Sequence, residues 1–140
     1  SDESLAAIEA AGDVDTAVIV LRFENGAICV IDNSRKAAYG YDQRVEAFGS
    51  KGKAEIANDL PSTATWSTEE GVFGEKPLYF FLERYMDSFA EEMKQFVEAL
   101  IEGKETPVTG IDGLIPIKMG LAAQKSVREG RPVKLSEIEG

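Results

Sequence analysis

Alternation of apolar and polar residues dominates the first sixty positions and predicts a series of β-strands. Ala17, Ile19, Leu21 and Phe23 fall on one face of the segment 16–23, and Thr16, Val18, Val20 and Arg22 on the other, because side chains of a strand point to opposite faces in turn. Apolar residues on both faces predict that both faces of the sheet are covered, at least in part. Asn25-Gly26 follows, and both residues tolerate the positive φ angles of a two-residue hairpin turn. The returning strand is predicted from Ala27 to Arg35. Three more strands are predicted at residues 41–49, 53–58 and 63–68.

The second half of the chain changes to helical periodicity. Between Leu78 and Leu100 apolar residues recur every three or four positions, as on the buried face of a helix. Pro77 suits the first turn of this helix, and Gly103 ends it. A second helix is predicted from a cap at Thr109 to Glu129, with Pro116 inside it.

Three shorter segments complete the assignment. Residues 1–12 are helix-prone, residues 69–76 are predicted as a loop with two glycines, and residues 132–135 are predicted as a last short strand. Strands followed by helices are typical of an α+β fold in which the helices cover the sheet. We therefore predict one domain, residues 1–140, with a mostly antiparallel open sheet and two helices packed on one face.

The net charge of the chain narrows the range of partners. The sequence has 25 acidic and 15 basic residues, a net charge of −10. Such a field repels phosphate backbones and anionic lipid, so we expect no nucleic-acid partner and no membrane role. No apolar run approaches the ~18 residues of a membrane span, and the first residues lack a basic leader. Because Cys29 is the sole cysteine, no intrachain disulfide can form, and we expect a cytoplasmic location.

Several kinds of chemistry have no support in the sequence. The chain contains no His, the commonest general base and metal ligand. It has no glycine-rich dinucleotide fingerprint and no phosphate-binding loop. Gly49-Ser50-Lys51-Gly52 lies between two predicted strands, which favours a hairpin turn. We therefore expect no catalytic residue, no metal site and no cofactor bound by this chain.

A polar cluster between two predicted strands is the best candidate site. Its members all carry hydrogen-bonding side chains: Asn33, Ser34, Arg35, Tyr39, Tyr41, Asp42, Gln43 and Arg44. Phenols, amides, a carboxylate and guanidinium forks provide the directed donors and acceptors that a polyhydroxylated ring needs. Strand pairing needs only alternation and a turn, so this density of polar groups favours a function. The alternative is a set of solvated strand ends with a Tyr–Arg stack.

The segment FFLERYMDSF is the second candidate site. At helical spacing Phe81, Arg84, Tyr85 and Ser88 point roughly one way. Arg84 beside aromatic rings suits either a hydroxylated ligand or a structural salt bridge, and both interpretations stay open. Core packing accounts for Tyr85 and Phe89 without a ligand.

Four motifs in this chain match a known family. YGYDQRVEAFGSKG and FFLERY are the most specific, and TGIDG and SVREGRPVKL follow downstream. From about Asp13 to Leu135 the chain resembles the C-terminal domain of inositol 2-dehydrogenases in the glucose–fructose oxidoreductase/inositol dehydrogenase (Gfo/Idh/MocA) family. The resemblance implies an α+β domain whose open sheet builds dimers and tetramers. It also implies an upstream Rossmann domain for NAD(P), which we expect to be absent from this chain.

The resemblance also separates catalysis from substrate lining. Catalysis in the family is attributed to a Lys of the nucleotide domain and to an Asp and a His at the start of the C-terminal half. None of the three can be carried over to this sequence. Substrate lining can be carried over: the motif positions imply that Tyr41, Arg84, Phe81 and Phe89 approach the ring. Phe81 and Phe89 have no hydrogen-bonding group, so their implied contact is apolar.

The sequence therefore favours one functional hypothesis over two others. It predicts the substrate and oligomerisation domain of an NAD-dependent inositol 2-dehydrogenase, which oxidises a ring hydroxyl to a ketone. We expect the chain to be inactive alone, to work with an upstream Rossmann domain, and to form a homo-oligomer through its sheet. One alternative is a stand-alone, non-catalytic binding or oligomerisation module. The other is a relative that acts on a different sugar or polyol, because fold likeness cannot choose among substrates.

Overall fold

The computed structural model describes residues 2–139, with side chains from Leu5 onward. Its elements, in chain order, are α1 Asp2–Ala10, β1 Thr16–Arg22, β2 Ile28–Ser34, β3 Val45–Gly49, β4 Gly52–Ile56, β5 Thr65–Thr68, β6 Gly71–Gly74, α2 Phe81–Glu102, α3 Gly110–Glu129 and a 3₁₀ turn Leu135–Glu137. The predicted α+β class is confirmed. Two compact units are present, one ending at Ser88 and the other beginning at Phe89.

The strands form three antiparallel hairpins, all in the first unit. Among the described residues the pairs are β1 with β2, β3 with β4, and β5 with β6, a finer division than one open sheet. Both predicted turns are present, but the first is longer than the two residues predicted, because the last ladder pair is Arg22 with Ile28. Among the described residues only glycines have a positive φ, so Asn25 does not adopt one. Gly26 has a φ of 87°, and the Asn25 side chain accepts a 3.0 Å hydrogen bond from the Ala27 amide. In the second turn, Gly49 pairs directly with Gly52.

Several predictions about individual segments were wrong, because contacts that the hydrophobic pattern does not show decide the structure there. The loop predicted at residues 69–76 contains β6, whose Phe73 stacks on the cross-strand partner Trp66 with ring centroids 5.8 Å apart. Such aromatic pairs stabilise strands that are too short for a sequence signal. The strand predicted at residues 132–135 is replaced by the 3₁₀ turn. Its Glu137 carboxylate accepts hydrogen bonds from Arg131 and from the Lys134 amide.

The start of the long helix also differs from the prediction. α2 begins at Phe81 and not at Pro77, because the backbone before it bonds to other segments. The Leu78 amide donates to the Asp59 carbonyl at 3.2 Å, and the Leu78 carbonyl accepts from the Tyr41 amide at 2.8 Å. Residues 77–78 therefore lie between the segments at 41 and 59.

The second unit contains the rest of α2, α3 and the 3₁₀ turn. The predicted cap at Thr109 is confirmed, since its amide donates to Asp112 at 2.8 Å. α3 ends at Gly130, whose φ is 62°. Ala99 and Ala122 are the two buried residues among those described. No helix within residues 2–139 is both long and apolar enough to cross a bilayer.

The two faces of the β1–β2 hairpin differ in exposure. Ala17, Ile19 and Leu21 on one face are partly covered. The other face carries four large apolar side chains that are each 62–69% exposed: Val18, Val20, Ile28 and Val30. The expected partial cover of both faces is thus present on one face only in this chain.

Gly40 sits where the chain passes closest to residues 77–78. Its φ is 144°, which side chains rarely adopt. A Cβ atom at this position would lie 2.8 Å from the Pro77 carbonyl oxygen and 3.1 Å from the Pro77 Cβ. Both constraints favour glycine here.

We expect Gly40→Ala to lower the free energy of unfolding by about 1–3 kcal/mol, the usual range for a strained backbone position. Gly120→Ala in α3 is the control, because a Cβ atom there would meet no described atom within 4 Å outside its own helix backbone and alanine favours helix. Urea denaturation of both variants measures the difference. Equal stability of the two variants would contradict the close approach at Gly40.

Candidate functional site

The candidate site is built around the elbow, defined here as residues 39–44, which connects β2 to β3. Tyr41 was expected to begin a strand, but β3 begins at Val45. The elbow is irregular because its backbone groups bond to residues outside any hairpin. The Tyr41 amide donates to Leu78, and the Gln43 amide donates to the Asn58 side chain at 2.8 Å.

The Asp42 carboxylate is the most heavily bonded side chain of the elbow. Its Oδ1 accepts from Arg44 Nε at 2.8 Å and from Asn58 Nδ2 at 2.7 Å. Its Oδ2 accepts from an Arg44 terminal nitrogen at 3.0 Å and from the Tyr39 hydroxyl. The Asp42 side chain is only 13% exposed. Four donors on one carboxylate leave it little capacity to take a proton from a substrate.

The pKa values of the elbow follow from these bonds. The pKa of Asp42 lies well below its ordinary value, first because Arg44 donates to the carboxylate and then because Tyr39 and Asn58 donate. The pKa of Tyr39 is raised, chiefly by its hydrogen bond to Asp42. The pKa of Tyr41 is raised by burial and then by the neighbouring Tyr85. Asp42 is therefore an anion and both phenols are neutral at physiological pH.

Asn58 connects the two sides of the β3–β4 hairpin beyond its last backbone pair. The pairing of Val45 with Ile56 would, if continued, place Gln43 opposite Asn58. The two backbone segments separate there instead, and side chains connect them. Asn58 Oδ1 accepts from the Gln43 amide at 2.8 Å, while its Nδ2 donates to Asp42.

Arg84 fills the gap between the separated chains. One terminal nitrogen donates to the carbonyl of Gln43 at 2.9 Å and to the carbonyl of Ala57 at 3.2 Å. The other lies 3.5 Å from Asn58 Oδ1. The guanidinium carbon is also 5.7 Å from the centre of the Tyr85 ring. Because Arg84 lies on α2, these bonds connect the first turn of that helix to both strands at the open end of the hairpin.

Tyr41 lies against an aromatic wall formed by the start of α2. Its ring meets Tyr85 edge-on with a centroid distance of 5.9 Å, and Phe81 at 6.5 Å. Phe81 in turn packs against Phe80 at 4.4 Å. The half-buried ring orients the phenol, which is the arrangement expected of a group that offers one directed hydrogen bond.

The structure brings three of the four predicted substrate-lining residues together. Tyr41, Phe81 and Arg84 all lie at the elbow and the first turn of α2. Phe89 lies in the second unit, two turns further along α2, with 43% of its surface exposed. Within the polar cluster, Arg35 is separate from the elbow and lies 4.0 Å from Asp13.

Sequence reasoning missed Asn58, which had been placed at the end of an unremarkable strand. A signal was available, because the turn predicted at Gly49–Gly52 fixes the register. Extending that register outward puts position 58 opposite position 43. Polar residues at a register position beyond the last regular pair are candidates for such bridges.

A groove of about 430 Å³ lies next to the elbow. Its lining residues are Pro61, Trp66, Gly74, Glu75, Lys76, Pro77, Leu78, Tyr79 and Glu83. Leu78, which accepts a hydrogen bond from the Tyr41 amide, lines this groove, but Tyr41, Asp42 and Arg84 do not. Among the described residues no group of three or more His, Cys, Asp or Glu side chains is arranged to hold a metal ion.

Comparison with known proteins identifies the family. The profile of the oxidoreductase family, C-terminal alpha/beta domain, matches residues 3–135. The chain belongs to the Gfo/Idh/MocA oxidoreductase family. This membership confirms the resemblance carried by the YGYDQRVEAFGSKG and FFLERY motifs.

Individual relatives agree with this membership. The chain is 53% identical to myo-inositol 2-dehydrogenase from Thermotoga maritima over 93% of its own length and 39% of the relative. A crystal structure of a probable dehydrogenase from the same organism superposes with a TM-score of 0.89 at 53% identity, over 94% of this chain and 40% of that one. Scyllo-inositol dehydrogenase from Lactobacillus casei, with bound NAD(H) and scyllo-inositol, gives a TM-score of 0.80 at 27% identity, over 93% of this chain and 38% of that one. The chain thus spans about two fifths of the length of these relatives.

We expect Asp42→Asn to lower the free energy of unfolding at pH 7 by about 2 kcal/mol. Hydrogen bonds to a charged acceptor contribute ~1.5–3 kcal/mol, although solvent screens the exposed Arg44 partner. Because the folded-state pKa is depressed, this stabilisation is present above the ordinary carboxyl pKa of 3.8 and is lost as the pH falls below it. The difference between wild type and variant should therefore begin to shrink near pH 4 and keep shrinking as the pH falls further toward the depressed folded-state pKa of Asp42.

Urea denaturation at several pH values measures this difference. Asp87→Asn, which neutralises an exposed carboxylate on α2, serves as the control and should change stability little at any pH. A difference for Asp42→Asn that stays constant down to pH 3 would contradict the network around Asp42.

Proposed function

We propose that this chain is the substrate-binding, C-terminal domain of an NAD-dependent inositol 2-dehydrogenase. The observation that carries the proposal is the 53% identity to a myo-inositol 2-dehydrogenase across nearly the whole chain. The NAD(H)-bound scyllo-inositol dehydrogenase supports the choice of cofactor. The reaction is oxidation of one ring hydroxyl to a ketone, with hydride passing to NAD.

The residues of this chain suit substrate binding and do not fit NAD. No glycine-rich loop joins a strand to a helix in the sequence, and such a loop is what normally seats the pyrophosphate. Asp42 is already bonded to four donors, so it is a poor general base. We therefore propose that NAD binds to a Rossmann domain. We propose that the proton-accepting residue lies upstream of the segment that matches the family.

Tyr41 is the residue that we assign to the polyol. Its ring is fixed by Tyr85 and Phe81, and its phenol is neutral, so it can donate to or accept from a hydroxyl. Phe81 supplies apolar contact, and the contact implied for Phe89 stays a prediction. Arg84 acts mainly by holding the backbone on which Tyr41 sits, because one of its nitrogens serves two carbonyls. The inositol isomer is left open between the myo and scyllo forms.

Oligomerisation is the second part of the proposal. The outer face of the β1–β2 hairpin carries Val18, Val20, Ile28 and Val30, each more than 60% exposed. Contiguous apolar faces of this kind are uncommon on monomers and mark interaction surfaces. We propose that a second copy covers this face. The alternative of a stand-alone binding module predicts the same surface but no turnover in any assembly.

We expect the protein joined to its nucleotide-binding domain to reduce NAD in the presence of inositol, and this chain alone to be inactive. Tyr41→Phe in the joined protein should raise the KM for inositol up to about tenfold. The reason is that one lost neutral hydrogen bond costs ~0.5–1.5 kcal/mol, and ~1.4 kcal/mol is one decade. Steady-state kinetics of NADH absorbance with both inositol isomers provides the measurement.

Tyr79→Phe is the matched control, since Tyr79 is 81% exposed on the same unit and should leave all constants unchanged. Turnover by this chain alone would overturn the division of labour. A Tyr41→Phe variant with wild-type inositol kinetics, or with an equal change in the KM for NAD, would remove Tyr41 from the substrate site.

We expect this chain to self-associate at micromolar concentration and Val20→Lys to weaken that association. A charge at the centre of the exposed face must be desolvated when a second copy packs on it. Sedimentation velocity over a concentration series measures the change. Lys51→Glu, in the β3–β4 turn, is the control. A wild-type chain that stays monomeric throughout the series would contradict the proposed interface.

A further inference from the structure

The bridge across the open end of the β3–β4 hairpin depends on Asn58. We propose that Asn58 is a positioning residue for polyol binding: it fixes the elbow so that Tyr41 meets the substrate. This inference rests on the proposed function, because it assigns a role within the same site. In this proposal Asn58 acts through its bonds to Asp42 and Gln43 and not by contact with the polyol.

The side-chain amide of Asn58 both donates and accepts a hydrogen bond. Its nitrogen donates to Asp42 Oδ1 at 2.7 Å, and its oxygen accepts from the Gln43 amide at 2.8 Å. A carboxylate could accept from Gln43 but could not donate to Asp42. An alkyl side chain could do neither. The amide of Asn58 satisfies the anion and the backbone donor together, with its donor and its acceptor on separate atoms.

The bonds of Asn58 fix the two residues that follow Tyr41 in the chain. The Tyr41 amide is itself bonded to Leu78. Tyr41 is thus held from one side by residues 77–78 and from the other by Asn58. Arg84 completes the frame by holding the Gln43 carbonyl. Displacing residues 42–43 therefore moves the Tyr41 phenol, while the aromatic wall on α2 stays in place.

Asn58→Asp tests this role with almost no change in volume. It removes the donor and places a second carboxylate beside Asp42, which is strongly unfavourable at this separation. In the protein joined to its nucleotide domain, we expect the KM for inositol to rise about tenfold, in line with loss of a hydrogen bond to a charged group. The kcat and the KM for NAD should stay within about twofold.

Two further variants show whether the effect is specific. Asn25→Asp makes the same chemical change in the β1–β2 turn, where the side chain only accepts a bond from Ala27, and it should behave as wild type. The exchanged pair Asp42→Asn with Asn58→Asp restores one amide facing one carboxylate. Because an amide nitrogen would then stand where Asp42 Oδ1 accepts from Arg44 Nε, the pair should recover only part of the lost affinity for inositol.

A second readout on the 140-residue chain needs no substrate. Backbone amide exchange at residues 41–44 should be about tenfold faster in Asn58→Asp and should slow again in the exchanged pair. Unchanged exchange in Asn58→Asp overturns the inference, whatever the enzyme oxidises. Faster exchange with an unchanged KM for inositol also overturns it, because the bridge would then be structural only. Absence of inositol turnover in the wild-type joined protein defeats the proposed function instead, and the exchange data would then decide the bridging role separately.

Discussion

The geometry of the candidate site depends on side-chain hydrogen bonds that replace backbone hydrogen bonds at the open end of the β3–β4 hairpin. β3 and β4 pair regularly from their turn to Val45 and Ile56, and then the two chains separate. Backbone groups that leave a ladder must find other partners. Here the Gln43 amide is satisfied by Asn58, and the carbonyls of Gln43 and Ala57 are satisfied by Arg84. The separation is stable because side chains fill it with complementary donors and acceptors.

This arrangement explains why polar residues are so dense in the elbow without each being a ligand. Asp42 accepts hydrogen bonds from Arg44, Asn58 and Tyr39, and its negative charge balances the local positive charge. Arg84 serves the backbone and lies near the Tyr85 ring. We propose that the phenol of Tyr41, set against Tyr85 and Phe81, meets a substrate hydroxyl. Of the two interpretations of Arg84 from the sequence, a ligand contact or a structural role, these bonds favour the structural role. Direct contact of Arg84 with a substrate stays a prediction.

Local signals in the sequence predicted local structure well. Asn25-Gly26 and the Gly49–Gly52 segment gave the two hairpin turns, and Thr109 gave the start of α3, because each depends on the conformational preference of a few adjacent residues. The errors arose where contacts between side chains or between segments decide, near in sequence for β6 and distant in sequence for α2. β6 depends on stacking between Trp66 and Phe73, and the late start of α2 depends on bonds from Leu78 to the segments at 41 and 59. The candidate site shows the same contrast between what local motifs predict and what contacts between segments decide. Family motifs pointed to Tyr41 and Arg84, whereas the contact between Arg84 and Gln43 spans 41 positions and left no local trace.

The most direct test of this account is a crystal structure of this chain, joined to the nucleotide-binding domain that we propose for it, with NAD and myo-inositol bound. The account predicts the Tyr41 hydroxyl within about 3 Å of a substrate hydroxyl, the usual hydrogen-bond distance. It also predicts that Arg84 still bridges the carbonyls of Gln43 and Ala57 and that Asn58 still joins Asp42 to Gln43. An Arg84 guanidinium that leaves those carbonyls to bind the polyol, or an inositol bound away from Tyr41, would contradict it.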